Sequence, residues 1–241
     1  MPSGPLHAVI DDALDDPESP TVAEAAGEDD LFGFTADMPT VVDATGPEAE
    51  ALRGLRTQIV GLHLEPGRRA LVACAASDGV GCTFVAANLA ASLSQIGVRT
   101  LLIEADLRRP SLDSMIQPRR AVPGLVQYLT GQDELDDVIQ EDILPGLSVV
   151  YAGGVAAQPQ ELVSGPRFRS LIDSCIRNFD FTIIDTPPAN TCADAIRISS
   201  IVGFALIVAR KDQSFVHDLT VLADQLAQAH AETIGTVLNG S

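Results

Sequence analysis

The sequence has one lysine, Lys211, no tryptophan, two tyrosines and four cysteines in 241 residues. Cys74, Cys82, Cys175 and Cys192 lack C-x-x-C spacing, and His7, His63, His217 and His230 are equally scattered. Neither a disulfide framework nor a zinc site is indicated, and reduced thiols are expected. The longest apolar runs, such as Ile201 to Ala209, have strand length and are too short to span a bilayer. With no basic stretch ahead of an apolar one near the N-terminus, a cytoplasmic chain without direct membrane insertion is expected. Cations are scarce as well. Lys+Arg total 15 against 33 Asp+Glu, a net charge of −18, so the surface as a whole repels nucleic acid and anionic lipid, and no nucleic-acid partner is expected.

What is present is apolar residue, 46% of the chain, enough for a sizeable core, which excludes global disorder and fibrous folds. The acid excess is uneven. Residues 1–47 carry 11 acids and no Lys or Arg, leaving 22 acids and 15 bases, or −7, for the remainder. One-signed charge with little apolar content cannot offset the entropy of ordering, so residues 1–44 read as an acidic disordered arm ahead of a domain over 45–241. Inside the arm, Leu31-Phe32-Gly33-Phe34 is either a short docking motif or an incidental apolar patch.

The domain opens with a helix. Thr45-Gly46-Pro47-Glu48 supplies a capping-box pattern, and Leu52, Leu55, Ile59 and Leu62 then share one face. Beside it run Glu50, Arg53 and Arg56; two arginines three apart repel unless something accepts them, so an acidic partner such as a second copy of the chain is expected. From Arg68 the pattern becomes strand, glycine turn, helix, strand. Strands are expected at Ala70 to Cys74, Thr100 to Glu104, Leu147 to Tyr151, Phe181 to Asp185, Ile201 to Ala209 and Thr233 to Leu238. Helices are expected at Thr83 to Ile96, near Leu125, around Phe168 to Ile176 and from about Phe215 to Leu226. Alternating elements with strands apolar on both faces predict an α/β fold, a mostly parallel sheet with helices on both faces.

The first strand leads into Ala76-Ser77-Asp78-Gly79-Val80-Gly81-Cys82-Thr83. Glycines let the backbone curl so that successive N–H groups aim at one anion, and the helix dipole adds to the attraction. A dinucleotide fingerprint would need Gly or Ala where Phe84 stands, a residue too large for that packing; only Glu104, as a ribose-binding acid, favours it. The mononucleotide loop G-x-x-x-x-G-K-[ST] fits better, with Ala76 for its first glycine and Cys82 for its lysine. A neutral Cys82 cannot neutralise phosphates, although a thiol at a helix N-terminus is expected to have a lowered pKa. Asp185, ending an apolar strand before Thr186-Pro187-Pro188, suits a magnesium-side carboxylate. Leu101 to Pro110 brings Glu104, Asp106, Arg108 and Arg109 to the same sheet edge, where open parallel sheets bind ligands.

With these segments in view, the chain resembles the bacterial tyrosine autokinases of capsule and exopolysaccharide export, P-loop proteins related to the MinD/ParA ATPases. The resemblance covers about residues 45 to 239. It rests on Glu50 to Arg56 as an E-x-x-R-x-x-R motif, Gly79 to Thr83, Leu101 to Pro110, Ala152-Gly153 with Gln158 to Leu162, Asp185 to Pro188, and Val237 to Asn239. It implies a P-loop NTPase-like fold and ATP or ADP with Mg²⁺ as ligands. It implies that Gly79, Val80, Gly81, Cys82 and Thr83 hold phosphates, with Phe84 and Arg108 beside them and Asn239 near the base. Thr83 and Asp185 would hold Mg²⁺, and Glu104 and Asp106 would stand where the nucleophile is activated. Glu50, Arg53 and Arg56 would join neighbouring subunits of a homo-oligomer. The implied partner is a transmembrane polysaccharide co-polymerase that recruits the chain to the inner membrane, where it regulates polymerisation or chain length. Three departures bear on phosphoryl transfer: Cys82 for lysine, Glu104 where the family has Asp, and no counterpart of the family's tyrosine cluster. Tyr128 and Tyr151 both read as core. Either an arginine, Arg108, Arg109 or one donated by the partner, replaces the missing charge and the chain is an active ATPase or tyrosine kinase, or the chain acts mainly by binding. A MinD/ParA-like switch ATPase is the third reading.

Overall fold

The computed structural model describes residues 6–10, 31–63 and 69–240. In chain order the elements are β1 (Leu6–Ile10), β2 (Phe32–Phe34), α1 (Pro39–Val42), α2 (Pro47–His63), β3 (Ala70–Ala75), α3 (Cys82–Ser94), β4 (Thr100–Glu104), β5 (Ile116–Pro118), α4 (Leu125–Thr130) and α5 (Leu135–Val138). There follow β6 (Gln140–Leu144), β7 (Leu147–Val150), α6 (Pro159–Ser164), α7 (Pro166–Asn178), β8 (Phe181–Asp185), α8 (Asp194–Val202), β9 (Phe204–Arg210), α9 (Val216–Gln228) and β10 (Glu232–Asn239).

The main sheet runs β1-β10-β9-β3-β8-β4-β7-β6. Every neighbouring pair is parallel except β6–β7, a hairpin at the edge. Parallel strands need crossovers, and the crossover helices cover both faces, which is why β3, β4 and β8 are buried throughout. Side-chain alternation divides the core in two. Leu71, Ala73, Ile183 and Leu206 face α2 and α3, meeting Leu52, Leu55, Ile59, Val85 and Leu89. Val72, Cys74, Ile184 and Ile207 face the other way, onto Leu125, Phe168, Leu171, Ile198, Leu222 and Leu226.

The structure corrects the sequence reading in two places. Parts of the stretch expected to be a disordered arm are ordered. Phe32 and Phe34 pack on the core from β2, which pairs antiparallel with β5, and β1 pairs with β10. Asn88 of α3, itself fully buried, then holds α1 down: its Oδ1 accepts Thr40 N–H and hydroxyl, and its Nδ2 donates to the carbonyls of Asp37 and Phe84. The rest of the arm, 1–5 and 11–30, lies outside the described residues, as does the side chain of Leu62. The second correction concerns Ile201 and Val202, expected to open a strand. They end α8 instead, because Gly203 adopts φ 90° as its C-cap and turns the chain into β9 three residues later than expected.

Candidate functional site

The site lies where β3, β8 and β4 end side by side, with Asp185 opposite Ala73 on one flank and Glu104 on the other. From β3 the chain curls through a loop with Gly79 at φ 72° and Gly81 at φ 85° before α3 begins. Gly81 tolerates no side chain: the left-handed φ disfavours one, and a Cβ there would collide with the Asn239 carboxamide.

Three successive loop carbonyls are held from outside by side chains near the C-terminal ends of β9 and β10. Gln213 Nε2 donates to Asp78 O at 2.9 Å, Arg210 Nη1 to Gly79 O at 3.0 Å, and Asn239 Nδ2 to Val80 O at 3.2 Å. All peptides here are trans, so the N–H of Gly79, Val80 and Gly81 point away from those carbonyls, to the loop's inner side. Among the described residues none of these amides donates to another group. The protein's own donors thus hold three successive peptides whose amides are left without an acceptor, the kind of nest that suits an anion.

Thr83, in the first turn of α3, donates its hydroxyl to Asp185 Oδ2 at 2.6 Å. Asp185 is 1% exposed, and its Oδ1 is buried without a partner. Burial pushes this carboxyl up to about 7, with the Thr83 hydrogen bond opposing and the Glu104 charge adding. A buried carboxylate oxygen without a partner, beside a hydroxyl at the end of the glycine loop, fits a hard divalent cation of the Mg²⁺ kind. Thr83 and Asp185, the two residues expected to hold Mg²⁺, are thus brought within hydrogen-bond distance of each other, and their donor set suits the group.

Cys82 stands as a neutral replacement for the loop lysine. Burial and the adjacent Asp185 push its thiol well above the ordinary range, the reverse of the lowering expected at a helix N-terminus, so it stays neutral.

Glu104 is also committed elsewhere. One oxygen accepts the amides of Ser111 (2.6 Å) and Leu112 (2.7 Å), and the other that of Ala152 (2.9 Å). It is a buried staple joining the segment after β4 to the end of β7, and it offers the site no free oxygen. Asp106 is held by its own turn: its Oδ1 accepts the amides of Arg108 and Arg109 at 3.0 and 2.9 Å.

Arg108, expected beside the phosphates, is instead bound through two nitrogens to the buried Asp194 at the start of α8, at 2.8 and 3.3 Å. Arg109 pairs with Asp78 of the loop itself. Phe84, in the first turn of α3, packs against the core, and its carbonyl accepts a hydrogen bond from Asn88 Nδ2. On α2, Arg53 finds its acceptors inside the chain, Glu50 at 2.6 Å and the Ala44 carbonyl at 2.6 Å, and Arg56 reaches Ser92 O at 3.3 Å. The external acceptor that their spacing called for is not required within one chain. An open groove of about 610 Å³ beside α8 and α9, lined by Asn190, Cys192, Ile196 and Gln225, involves none of these loop residues. Arg210, Gln213 and Asp194 went unremarked in the sequence because no motif spacing marks them.

Residues 70–229 match the AAA domain family. The chain is 34% identical over 193 residues to the putative tyrosine-protein kinase EpsB of Ralstonia solanacearum, covering 80% of this chain and 26% of that protein. It thus spans about a quarter of the length of such curated relatives. Among solved structures, the kinase domain of the Escherichia coli tyrosine kinase Etk superposes with a TM-score of 0.77 at 33% identity, covering 84% of this chain and 79% of that one. The cell division ATPase MinD of Pyrococcus furiosus gives a TM-score of 0.63 at 25% identity, covering 71% of each chain.

Proposed function

Because the chain belongs to the AAA domain family and, within it, to the bacterial tyrosine-protein kinase domains of capsule and exopolysaccharide systems, we propose that it is a Mg²⁺-nucleotide-binding component of polysaccharide assembly that acts with a membrane co-polymerase. One observation carries the nucleotide-binding part: Thr83, at the end of a loop whose Gly79, Val80 and Gly81 amides have no acceptor among the described residues, orients a buried Asp185 carboxylate whose other oxygen has no partner. Thr83 and Asp185 would hold Mg²⁺, which when bound supplies positive charge to the β- and γ-phosphates. The loop amides hold the phosphates, Asn239 shapes the loop next to the base, and Asp106 is placed to accept a proton from an attacking hydroxyl.

Cys82 decides how far this goes. A neutral thiol contributes no charge to phosphoryl transfer, so binding is retained better than turnover, and the chain serves chiefly as a nucleotide-responsive partner that regulates polymerisation or chain length. Its association with other copies runs through α2, where the Glu50–Arg53 pair exchanges its in-chain partner for a neighbour's. The test is a deletion strain together with co-purification of the tagged chain with a membrane co-polymerase. Altered polymer length or yield, with association, is expected. Normal polymer without association contradicts the reading.

An active ATPase or kinase is the second reading. Arg109, held at the loop by Asp78, favours it, whereas Asp194 withdraws Arg108. It requires phosphate release that Asp185→Ala abolishes and Arg109→Ala weakens.

A further inference from the structure

The loop has a geometry for phosphate but no lysine, so some other cation must be sought near it. Lys211 is exposed, and among the described residues it bonds through its backbone N–H, to the Asn239 carbonyl. Arg108 and Arg109 each hold a carboxylate, in Asp194 and Asp78. Arg210 differs from all three. It ends β9 at the loop's flank, half-buried, and among the described residues it has no acidic partner. The turn that follows fixes its place: Arg210 N donates to Ser214 Oγ at 2.9 Å, and its carbonyl accepts Gln213 N–H and Ser214 N–H. One guanidinium nitrogen donates to the Gly79 carbonyl, which leaves the rest of its five N–H groups uncommitted.

We propose that Arg210 supplies the positive charge that the phosphate loop lacks at Cys82, with a nucleoside diphosphate or triphosphate as the ligand it serves. The assignment rests on the nucleotide-binding reading above. Two effects act through the same contact. The Gly79 carbonyl belongs to the peptide whose N–H is that of Val80, the middle amide of the inward row, and a cation bonded to the carbonyl polarises that N–H toward an anion. The unneutralised guanidinium also lies one peptide unit from the anion nest, where a full charge in partly desolvated surroundings changes anion affinity by roughly tenfold or more. An arginine is suited to this task because its guanidinium stays charged while its planar fork holds the carbonyl in a fixed direction.

The test is calorimetric titration of Mg-ADP into the full chain, wild type and variants, with thermal melting to confirm folding. Glutamine is two atoms shorter and carries no charge, so Arg210→Gln removes both the charge and the Gly79 contact, and Arg210→Lys and the double variant with Cys82→Lys separate charge from scaffold. The expected result is binding by wild type, a loss of at least about tenfold in Arg210→Gln, affinity close to wild type in Arg210→Lys, and recovery in the double variant Arg210→Gln with Cys82→Lys. Undiminished binding in Arg210→Gln overturns the assignment, as does a wild type that fails to bind while Cys82→Lys binds. If neither wild type nor Cys82→Lys binds Mg-ADP, the nucleotide-binding reading itself fails and the assignment falls with it.

Discussion

The Thr83 hydroxyl and Asp185 Oδ2 stand 2.6 Å apart, joined by a hydrogen bond from a helix's first turn to the end of a central strand, while the other carboxylate oxygen is buried bare. That pair carries the first prediction. Thr83→Val leaves the carboxylate without its hydroxyl donor and is expected to lower metal-free stability by about 1–3 kcal/mol, read from urea denaturation. Asp185→Asn removes the buried charge and should not lower it. Stability unchanged in Thr83→Val would mean that the hydroxyl does not orient Asp185.

Arg108 and Asp194 provide the second. Asp194 is 1% exposed and depends on one guanidinium, so Arg108→Ala strands a buried carboxylate and should cost about 3 kcal/mol. Arg108→Ala with Asp194→Ala should cost little more than the first substitution alone. Strict additivity in this double-mutant cycle would show that the pair is not coupled.

Asn88 joins residues 37–40 to α3, and Asn88→Leu takes their partner from three polar groups, the Thr40 N–H, the Thr40 hydroxyl and the Asp37 carbonyl. A loss of about 3 kcal/mol is expected, together with faster proteolysis between residues 31 and 45. A protease pattern identical to wild type would contradict the strap that the structure describes.

Burial pushes the thiols of Cys74 and Cys175 from 9.0 up to about 12. A raised pKa means that the folded state keeps its proton longer than the unfolded state. The stability due to these thiols is therefore complete below about pH 9 and is lost as pH rises toward 12. Stability curves should fall across that window, less steeply for Cys74→Ala with Cys175→Ala. Alkylation of the native protein at pH 8 should spare both thiols and reach the half-exposed Cys192. Prompt labelling of Cys74 would contradict its burial.

Where a property is local, the sequence revealed it: β4 and β8 run over the expected residues, Thr100 to Glu104 and Phe181 to Asp185, because each is a short apolar run closed by an acid. The boundary at Ile201 was hidden because helix end and strand form one apolar stretch, and only Gly203 separates them. Glu104 looked catalytic because its amide partners, Ser111, Leu112 and Ala152, lie up to 48 residues away. Arg210 likewise acquires meaning only when β9 is laid beside β3, 131 residues from the Gly79 carbonyl it holds. Phe32 and Phe34 sit in an acidic stretch whose composition argued for disorder, and β5 is what orders them.

The central claim is that this loop binds a magnesium nucleotide without a lysine. Calorimetric titration of Mg-ATP into the wild-type chain, set against Asp185→Ala and against nucleotide with EDTA, tests it most directly. The account predicts saturable binding by wild type that disappears in Asp185→Ala and weakens without Mg²⁺. Absence of binding in wild type, with binding appearing only in Cys82→Lys, would contradict it.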